Sequence, residues 1–460
     1  MRGHHTIVFH EYSGFRKEDG KESTLLSDLG LSPHEEQILQ SISIDGRSKN
    51  RVFEFSPNTI RARNVVGVIL IGDLQIEIHP KLLAKSSSGT TSILQNLMFM
   101  LSYAHQLDIE DSGIANLSRD FGSFIEAYIA IFSERLIRLL VKTGIPKRYE
   151  DRADNLSVIR GRINFARNSV INVVNRAKVY CEYTEFTEEN VISRAFKYVA
   201  VGLKKICQSL ESQRKLRMCL ALLDGVTPAF VEPEVLERAT FGRRDPNFSA
   251  LIQLTKMFLG KLRPQFGRIS QNKVFALLFD MNQLFEQFIY EVLRRHSSDL
   301  NIDVKAQARK RLVTAERSFL ETSDWIDRDL FDTYTDIEVI SRKTGAKVIL
   351  DTKYKIVGTT PHYGIDNSDV YQILAYRQIH ASGVEVPNVG LLYPRFESDL
   401  RKEFKVNGAG ATFFAATVDL SRDFRTSMSE LVGELHQLLK AAFSSRDEIG
   451  NQVLKRVSND

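Results

Sequence analysis

The apolar positions change period along the chain, and each change marks a different kind of element. Between Asn58 and Leu83 two β-branched runs, Val65 to Ile71 and Leu74 to Ile78, flank the turn pair Gly72-Asp73, which predicts a β-hairpin. In the second run Leu74, Ile76 and Ile78 alternate with Gln75, Glu77 and His79, the pattern of a half-exposed strand. From about residue 119 the spacing becomes helical. Phe121, Phe124, Ile125, Tyr128, Ile129, Phe132, Leu136, Leu139 and Leu140 form one stripe, and Gly144 with Pro146 ends it. Thr187-Glu188-Glu189 opens a second helix to about Leu210. Between the two, VIRGRINFARN (Val158 to Asn168) reads as a short basic strand. Further on, the pattern predicts a helix from Lys273 to His296 and a hairpin of Asp336–Ile340 with Lys347–Lys353 about a turn at Arg342 to Ala346. A helix capped by Ser368 and running to about Ser382, strands at Asn388–Pro394 and Ala411–Leu420, and a closing helix complete the chain.

These elements predict an α+β multidomain protein. Residues 1–118 form a β-rich N-terminal domain, with Lys85 to Thr91 as a flexible link into a helical stretch. Residues 119–262 form a mainly helical middle region with a basic strand segment, and 263–460 a C-terminal α/β domain with a small mixed sheet.

Composition narrows the class. The 460 residues are 43% hydrophobic and 26% charged, which excludes a collagen, a disordered tail and a disulfide scaffold. No apolar run approaches the roughly 18 residues that span a bilayer, so no membrane partner is expected. MRGHHTIVFHEYSG lacks an apolar signal core, and Cys181, Cys207 and Cys219 show no CxxC spacing, so the chain reads as cytoplasmic without structural zinc. The net charge of +5 permits nucleic-acid binding without requiring it. The basic residues cluster in two places: Lys142, Lys147, Arg148, Arg152, Arg160, Arg162 and Arg167, and again Lys305, Arg309, Lys310, Arg311 and Arg317 beside Glu316. Each cluster is either a nucleic-acid contact or a solvated face.

The C-terminal hairpin carries the chemistry. Its first strand begins with Asp336 and its second ends ILDTKYK, where Asp351 and Lys353, two apart, share a face. Both ends lie far from the turn, so two carboxylates and an amine converge at the rim of a sheet. Hard carboxylate oxygens suit Mg²⁺ (or Mn²⁺), whose retained waters a substrate phosphate can replace. A lysine beside such an ion can orient a nucleophile or steady the developing charge. The tripeptide alone means little, because Asp303-Val304-Lys305 and Glu403 with Lys405 repeat its spacing. Context singles out Asp351-Thr352-Lys353: an apolar strand before it, an upstream strand with Asp336, and helices on both sides. Among those helices, Asn282 and Glu286 share one face, and Glu286 is either a further metal or water ligand or a solvated acid. Asp369, Gln372 and Tyr376 form one stripe that can contact phosphate or brace the lysine, or is simply a hydrogen-bonded surface.

Asp336 followed by Asp351-x-Lys353 resembles the PD-(D/E)xK nuclease core, with Thr335 where that pattern often has proline, and Gln372-xxx-Tyr376 is similar to the Q-x-x-x-Y element of its RecB-like branch. More specifically, NVVGVILIGDLQIEIHPKL, VIRGRINFARN, CEYTEFTEENVISRAFKYV, DMNQLFE, ILDTKYK and DVYQILAY, in that order, resemble the McrC family. Its members are nuclease subunits of McrBC-type modification-dependent restriction systems. The resemblance implies a Mg²⁺-dependent DNA endonuclease with Asp336, Asp351, Lys353, Glu286, Gln372 and Tyr376 as its site, and Asp336, Asp351 and Glu286 toward the metal. It also implies an N-terminal region that engages a McrB-like AAA+ GTPase hexamer and stimulates its hydrolysis, with double-stranded, modified DNA as substrate. The residues agree on one point: no G-x-x-x-x-G-K-S/T loop occurs, so nucleotide-driven work must come from another subunit. Arg61, Arg63, His79 and Lys81 on the N-terminal hairpin are candidate contacts or ordinary surface residues. Two alternatives stand beside this reading: a stand-alone RecB-like repair or mobile-element nuclease, and a degenerate, non-enzymatic regulator of a nucleotide-hydrolysing ring.

Overall fold

The structure, a computed structural model, describes residues 5–16, 21–43, 51–72, 74–80, 89–104, 124–240, 246–261, 274–316, 326–358, 362–381, 386–396, 398–407 and 411–457. The architecture is mixed α+β. Its compact units are two and are not consecutive stretches: Met1–Val68, Leu74–Ala104 and Leu278–Asp460 make one, Ile69–Asp73 and His105–Leu277 the other.

In the second unit the helix expected before Gly144 spans Phe124–Thr143. Thr187 does not open the next helix. Asn190 does, its side chain accepting from the Ile192 and Ser193 amides, so the helix runs Val191–Ile206. The residues before it instead form the strand Val179–Thr187, paired along its length with Arg148–Leu156 and at one end with Arg162–Ile163. The basic strand expected over VIRGRINFARN thus shrinks to two residues, because Asn164 caps a short helix, Phe165–Ile171.

Among the described residues the first unit holds a two-stranded sheet, Phe53–Ser56 with Thr59–Ala62, and two large ones. In the N-terminal one the hairpin strands Val65–Ile71 and Leu74–His79 are followed by His5–His10, which lies parallel to Leu74–His79, and by two short strands. The second hairpin strand is not half-exposed: Gln75 and Glu77 are buried, Gln75 Nε2 donating to Glu77 Oε1 at 2.6 Å. Internal pairing lets polar positions sit inside, which a period-2 reading takes for solvent. The Lys85–Thr91 link lies partly outside the described residues, and the helix Gly89–Ala104 begins within it.

The C-terminal sheet has the order Ile302–Glu316, Ile326–Ser341, Lys347–Thr352, Asn388–Pro394, Thr412–Val418, Arg401–Lys405. The middle three strands run parallel and the flanking pairs antiparallel, which makes the sheet mixed. The helix expected from Lys273 starts only at Met281. Val274–Asp280 is a strand, and the Asp280 carboxylate caps the helix by accepting from the Asn282 amide at 2.8 Å. Likewise Asp366, not Ser368, occupies the cap of the helix Asn367–Ile379. That helix packs Ile373 and Tyr376 onto Ile349, Leu391 and Tyr393 of the sheet. Among the described residues no helix is long and apolar enough to cross a membrane.

Candidate active site

Cross-strand register builds the centre. Ile337 pairs with Leu350, so the next position outward brings Asp336 alongside Asp351. The strand carrying Asp351 lies inside the sheet, between Ile326–Ser341 and Asn388–Pro394, and Lys353 continues its pairing by donating its amide to Leu392 O at 2.9 Å. The site is therefore a buried strand end, not the solvent-facing rim expected. Asp351 is 0% exposed and the Lys353 side chain 19%.

Each acid is held differently. Asp336 Oδ2 accepts from the Thr352 amide at 2.7 Å and the Thr352 hydroxyl at 3.0 Å, so the middle residue of the D-x-K tripeptide orients the upstream aspartate. Asp351 Oδ2 lies 2.7 Å from Lys353 Nζ, while its buried Oδ1 has no hydrogen-bond partner. Burial, then the charge of Asp336, pushes the Asp351 carboxyl up to about 7, against the pull of Lys353. Burial works to lower Lys353, but the charge and hydrogen bond of Asp351, reinforced by Asp336 and Asp369, raise it overall. The ammonium is thus the charged member of the site.

The flanking helices complete the group. Glu286, half-buried on Met281–Arg295, is pushed up to about 7 by burial and then by Asp336. Gln307 Nε2 contacts its Oε1 at 3.5 Å and opposes that rise. Gln372 Nε2 donates to Tyr376 Oη at 2.6 Å. Burial raises the Tyr376 phenol, and the charges of Asp351, Asp336 and Lys353 all reach it. Gln372 joins the site through Tyr376. Asp336, Asp351, Lys353, Glu286 and Tyr376 are thereby one electrostatic group.

Among the described residues, no three His, Cys, Asp or Glu side chains stand close enough together to hold a metal ion. Glu286 feels the charge of Asp336 without joining it in a ligand set. The Asp336–Asp351 pair does fit a hard divalent cation in its chemistry: two carboxylates side by side, one with a buried, unpartnered oxygen.

Sequence reasoning missed the brace beneath the site. Lys355 Nζ donates to Asp366 Oδ2 at 2.6 Å and to both oxygens of buried Asp369 at 2.9 Å, and the Tyr393 hydroxyl reaches Asp369 at 3.3 Å. This ties the loop after Lys353 to the start of the Gln372–Tyr376 helix. The signal was present as a second lysine two residues beyond the first. Asn282 acts similarly, its side-chain oxygen accepting from the Tyr354 amide at 3.3 Å.

The two imitations of the tripeptide lie elsewhere. Asp303 is exposed and paired with Arg342 at 2.8 Å, and Glu403 and Lys405 lie on the far edge strand. Of the N-terminal candidates, Arg61 is exposed, Arg63 pairs with Glu54 at 3.1 Å, His79 lies 2.9 Å from Glu77, and Lys81 is outside the described residues.

Residues 60–394, which include every site residue above, match the family described as McrBC 5-methylcytosine restriction system component. The chain belongs to that family, and within it to the McrC type. It is 20% identical over 370 residues to the type IV methyl-directed restriction enzyme EcoKMcrBC of Escherichia coli K12, covering 75% of this chain and 98% of that one. Its fold is similar, at a TM-score of 0.57 and 20% identity, to a chain in the half-complex of a tetradecameric assembly of Thermococcus gammatolerans McrB AAA+ hexamers with bound McrC. That alignment covers 92% of this chain and 99% of the other.

Proposed function

We propose that this chain is the DNA-cutting subunit of a McrBC-type restriction complex, its C-terminal sheet serving as a PD-(D/E)xK nuclease core in the cytoplasm. The observation that carries the reading is the buried Asp351, set beside Asp336 and ion-paired with Lys353 at a central strand end. A carboxylate pair with a lysine is costly to bury and contributes nothing to packing that apolar residues would not supply better. Such a group is expected where charge must be handled.

The reaction is phosphodiester hydrolysis: water forms a bond to phosphorus, the bond to the leaving sugar oxygen breaks, and that oxygen takes up a proton. Lys353, kept protonated by its acidic neighbours, stabilises the negative charge that grows on the phosphoryl oxygens. Glu286, raised to about 7, exchanges a proton with water near neutral pH. Tyr376, held by Gln372, positions the phosphate beside the lysine. Mg²⁺ or Mn²⁺, when bound by Asp336 and Asp351 with Glu286 beside them, would supply an acidified water and neutralise phosphate charge.

The partner is an AAA+ GTPase hexamer of the McrB type, whose hydrolysis this chain stimulates; with no phosphate-binding loop of its own, the chain must borrow that energy. The surface that fits such a partner is in the second unit, on the loop and short helix Phe165–Ile171 between strands of the small sheet, rather than on the N-terminal hairpin, whose strands are buried. There Val158, Ile159, Phe165, Val170, Val173 and Val174 are exposed, Phe165 by 75% and Val174 by 95%. Arg160 and Arg162 stand among them but are paired with Glu185 and Glu182. A run of bare valines is a contact surface waiting for a partner. The test is cleavage of 5-methylcytosine-containing and unmodified duplexes by the purified chain with Mg²⁺, with and without a McrB-type GTPase and GTP. Cutting should require all components and vanish in Asp351→Asn. Cutting that persists in that variant sinks the assignment of the site, and full cutting by the chain alone points to a stand-alone nuclease.

A further inference from the structure

The strand that carries Asp336 does not stop at the sheet. Ile326–Ser341 pairs with Lys347–Thr352 only from Ile337 to Ile340, but with Ile302–Glu316 all the way to Ile326. Outboard of Asp336, residues 308–316 and 326–335 therefore pair, among the described residues, with each other alone and form a two-stranded ribbon springing from the active site. Ten residues separate Ile326 from Asp336, which at about 3.3 Å each gives an arm of about 33 Å.

An isolated two-stranded ribbon is marginal in water, and this one holds little in its own interior. Phe331 is 70% exposed and Tyr334 48%, and Ile326 is exposed as well. Phe331 also has a positive φ of 57°, uncommon for an aromatic residue, which interrupts the strand where its ring is bare. One internal brace is strong: Arg309 grips Asp332 through Nε and Nη2 at 2.9 and 2.7 Å. That pair offsets Asp332, which stays exposed. In sequence the two strands also carry Asp327, Asp329 and Glu316, so the cations are gathered on Ile302–Glu316 and are not in excess over the ribbon as a whole. Lys305, Lys310 and Arg311 are exposed along that strand, and Lys305 and Lys310 have no ion-pair partner among the described residues.

We propose that this ribbon is the arm by which the chain holds duplex DNA across its active site, Lys310 and Arg311 contacting phosphates and Phe331 and Tyr334 lying against sugars and base edges. The inference rests on the nuclease reading and adds the element that holds the substrate. Three features select duplex DNA over a protein: the cations on one strand, the aromatic residues on its partner, and the direct continuity with Asp336. A two-stranded ribbon fits the major groove. At about 3.4 Å per base pair the arm reaches across about ten pairs, one helical turn from the bond to be cut. Phosphate contacts of this kind fix register without reading sequence.

The test is fluorescence anisotropy of the full-length chain with a labelled 30-pair duplex in EDTA, where nothing is cut, across a range of salt concentrations. Lys310→Ala/Arg311→Ala should bind about tenfold more weakly, and the slope of log affinity against log salt should flatten by about one or more, Arg311 already acting on Asp332 across the ribbon. Phe331→Ala should weaken binding with the slope unchanged. Lys402→Ala/Lys405→Ala, on the opposite sheet edge, should bind like the parent. Unchanged affinity and slope in the arm variant overturn the proposal, as does an equal loss in the edge-strand control. Normal DNA binding with lost stimulation of a partner GTPase would make the arm a protein contact, also against it. Cleavage by Asp351→Asn is a separate readout: if that variant cuts, the nuclease reading fails while the binding result for the arm stands on its own.

Discussion

Replacing Asp351 with asparagine removes a buried negative charge while preserving the shape of the side chain, and the structure sets the size of the effect on stability. The carboxyl is raised from 3.8 to about 7, with burial the first cause and Asp336 the second. Between those two values the folded chain keeps a proton that the unfolded chain releases. The folded state therefore binds more protons, and stability falls as pH rises through that window. About 3 units at about 1.4 kcal/mol each make a penalty of about 4 kcal/mol, fully developed above pH 7 and absent below pH 4. Asparagine at this position carries no such penalty. It does leave Lys353 without its 2.7 Å partner, though Asp336 and Asp369 still act on the ammonium, so the net gain at pH 8 should be nearer 1–3 kcal/mol by order of magnitude.

The assay is urea unfolding of parent and variant at pH 5 and at pH 8, without divalent metal. Lys353 and Tyr376, which also feel Asp351, are raised from 10.5 and 10.0 and stay outside this window, so the change in the difference isolates this carboxyl. It should move in favour of asparagine by about 3 kcal/mol between the two pH values. Adding Mg²⁺ at pH 8 should stabilise the parent and leave the variant nearly unmoved, since a ligand stabilises only the state that binds it. A difference that does not change with pH would falsify the claim that burial and Asp336 outweigh the pull of Lys353 on Asp351. A gain in stability paired with loss of cutting is the expected signature of a group kept for chemistry.

Lys355→Met unties Asp366 and Asp369 and leaves the latter buried without its cation, so the urea midpoint should fall by an amount equivalent to about 2 kcal/mol, discounted because the lysine is one-third exposed. Cleavage should fall with it, and Lys355→Arg should restore most of both. Val174→Asp, at a side chain 95% exposed, should leave the melting curve within about 0.5 kcal/mol of the parent yet abolish stimulation of a McrB-type GTPase. Unimpaired stimulation by that variant would move the partner surface elsewhere.

What could be read from the sequence depended on how local its cause was. The hairpin of Asp336 and Asp351 was legible because β-branched runs flank a turn with Gly345 at a φ of 71°, and NVGLLYP was legible as an uninterrupted apolar run. Val274–Asp280 was lost to the helix after it because a short apolar run looks the same in either element, although Asp280 followed by polar Asn282 and Gln283 is a capping signal. Ile302–Glu316 was invisible as a strand. Its KAQARKR stretch has no apolar alternation, and only pairing with Ile326–Ser341 makes it β. The burial of Asp351 was equally hidden, since it follows from the two neighbouring strands on either side of Lys347–Thr352 and not from that strand's own residues.

The largest difference concerns the N-terminal residues, and it bears on how the site works. A stretch read as a separable partner-binding domain shares a compact unit with the catalytic residues. Asn64 donates to the Asp280 cap of the Glu286 helix at 3.2 Å, Asn96 donates to Leu420 O and Arg422 O, and Arg295 stacks over Tyr103. Tyr12 donates to Tyr354 O at 3.5 Å, while Asn282 accepts from the Tyr354 amide. The residue directly after Lys353 is thus contacted on its carbonyl from the turn that follows His5–His10 and on its amide from the helix Met281–Arg295. Both contacts bear on the position of Lys353, so a cut after residue 118 would remove one of them from the catalytic strand's end. A displacement of Tyr12 or Asn282 by a fraction of an ångström would move Tyr354, and with it the ammonium that Asp351 keeps charged.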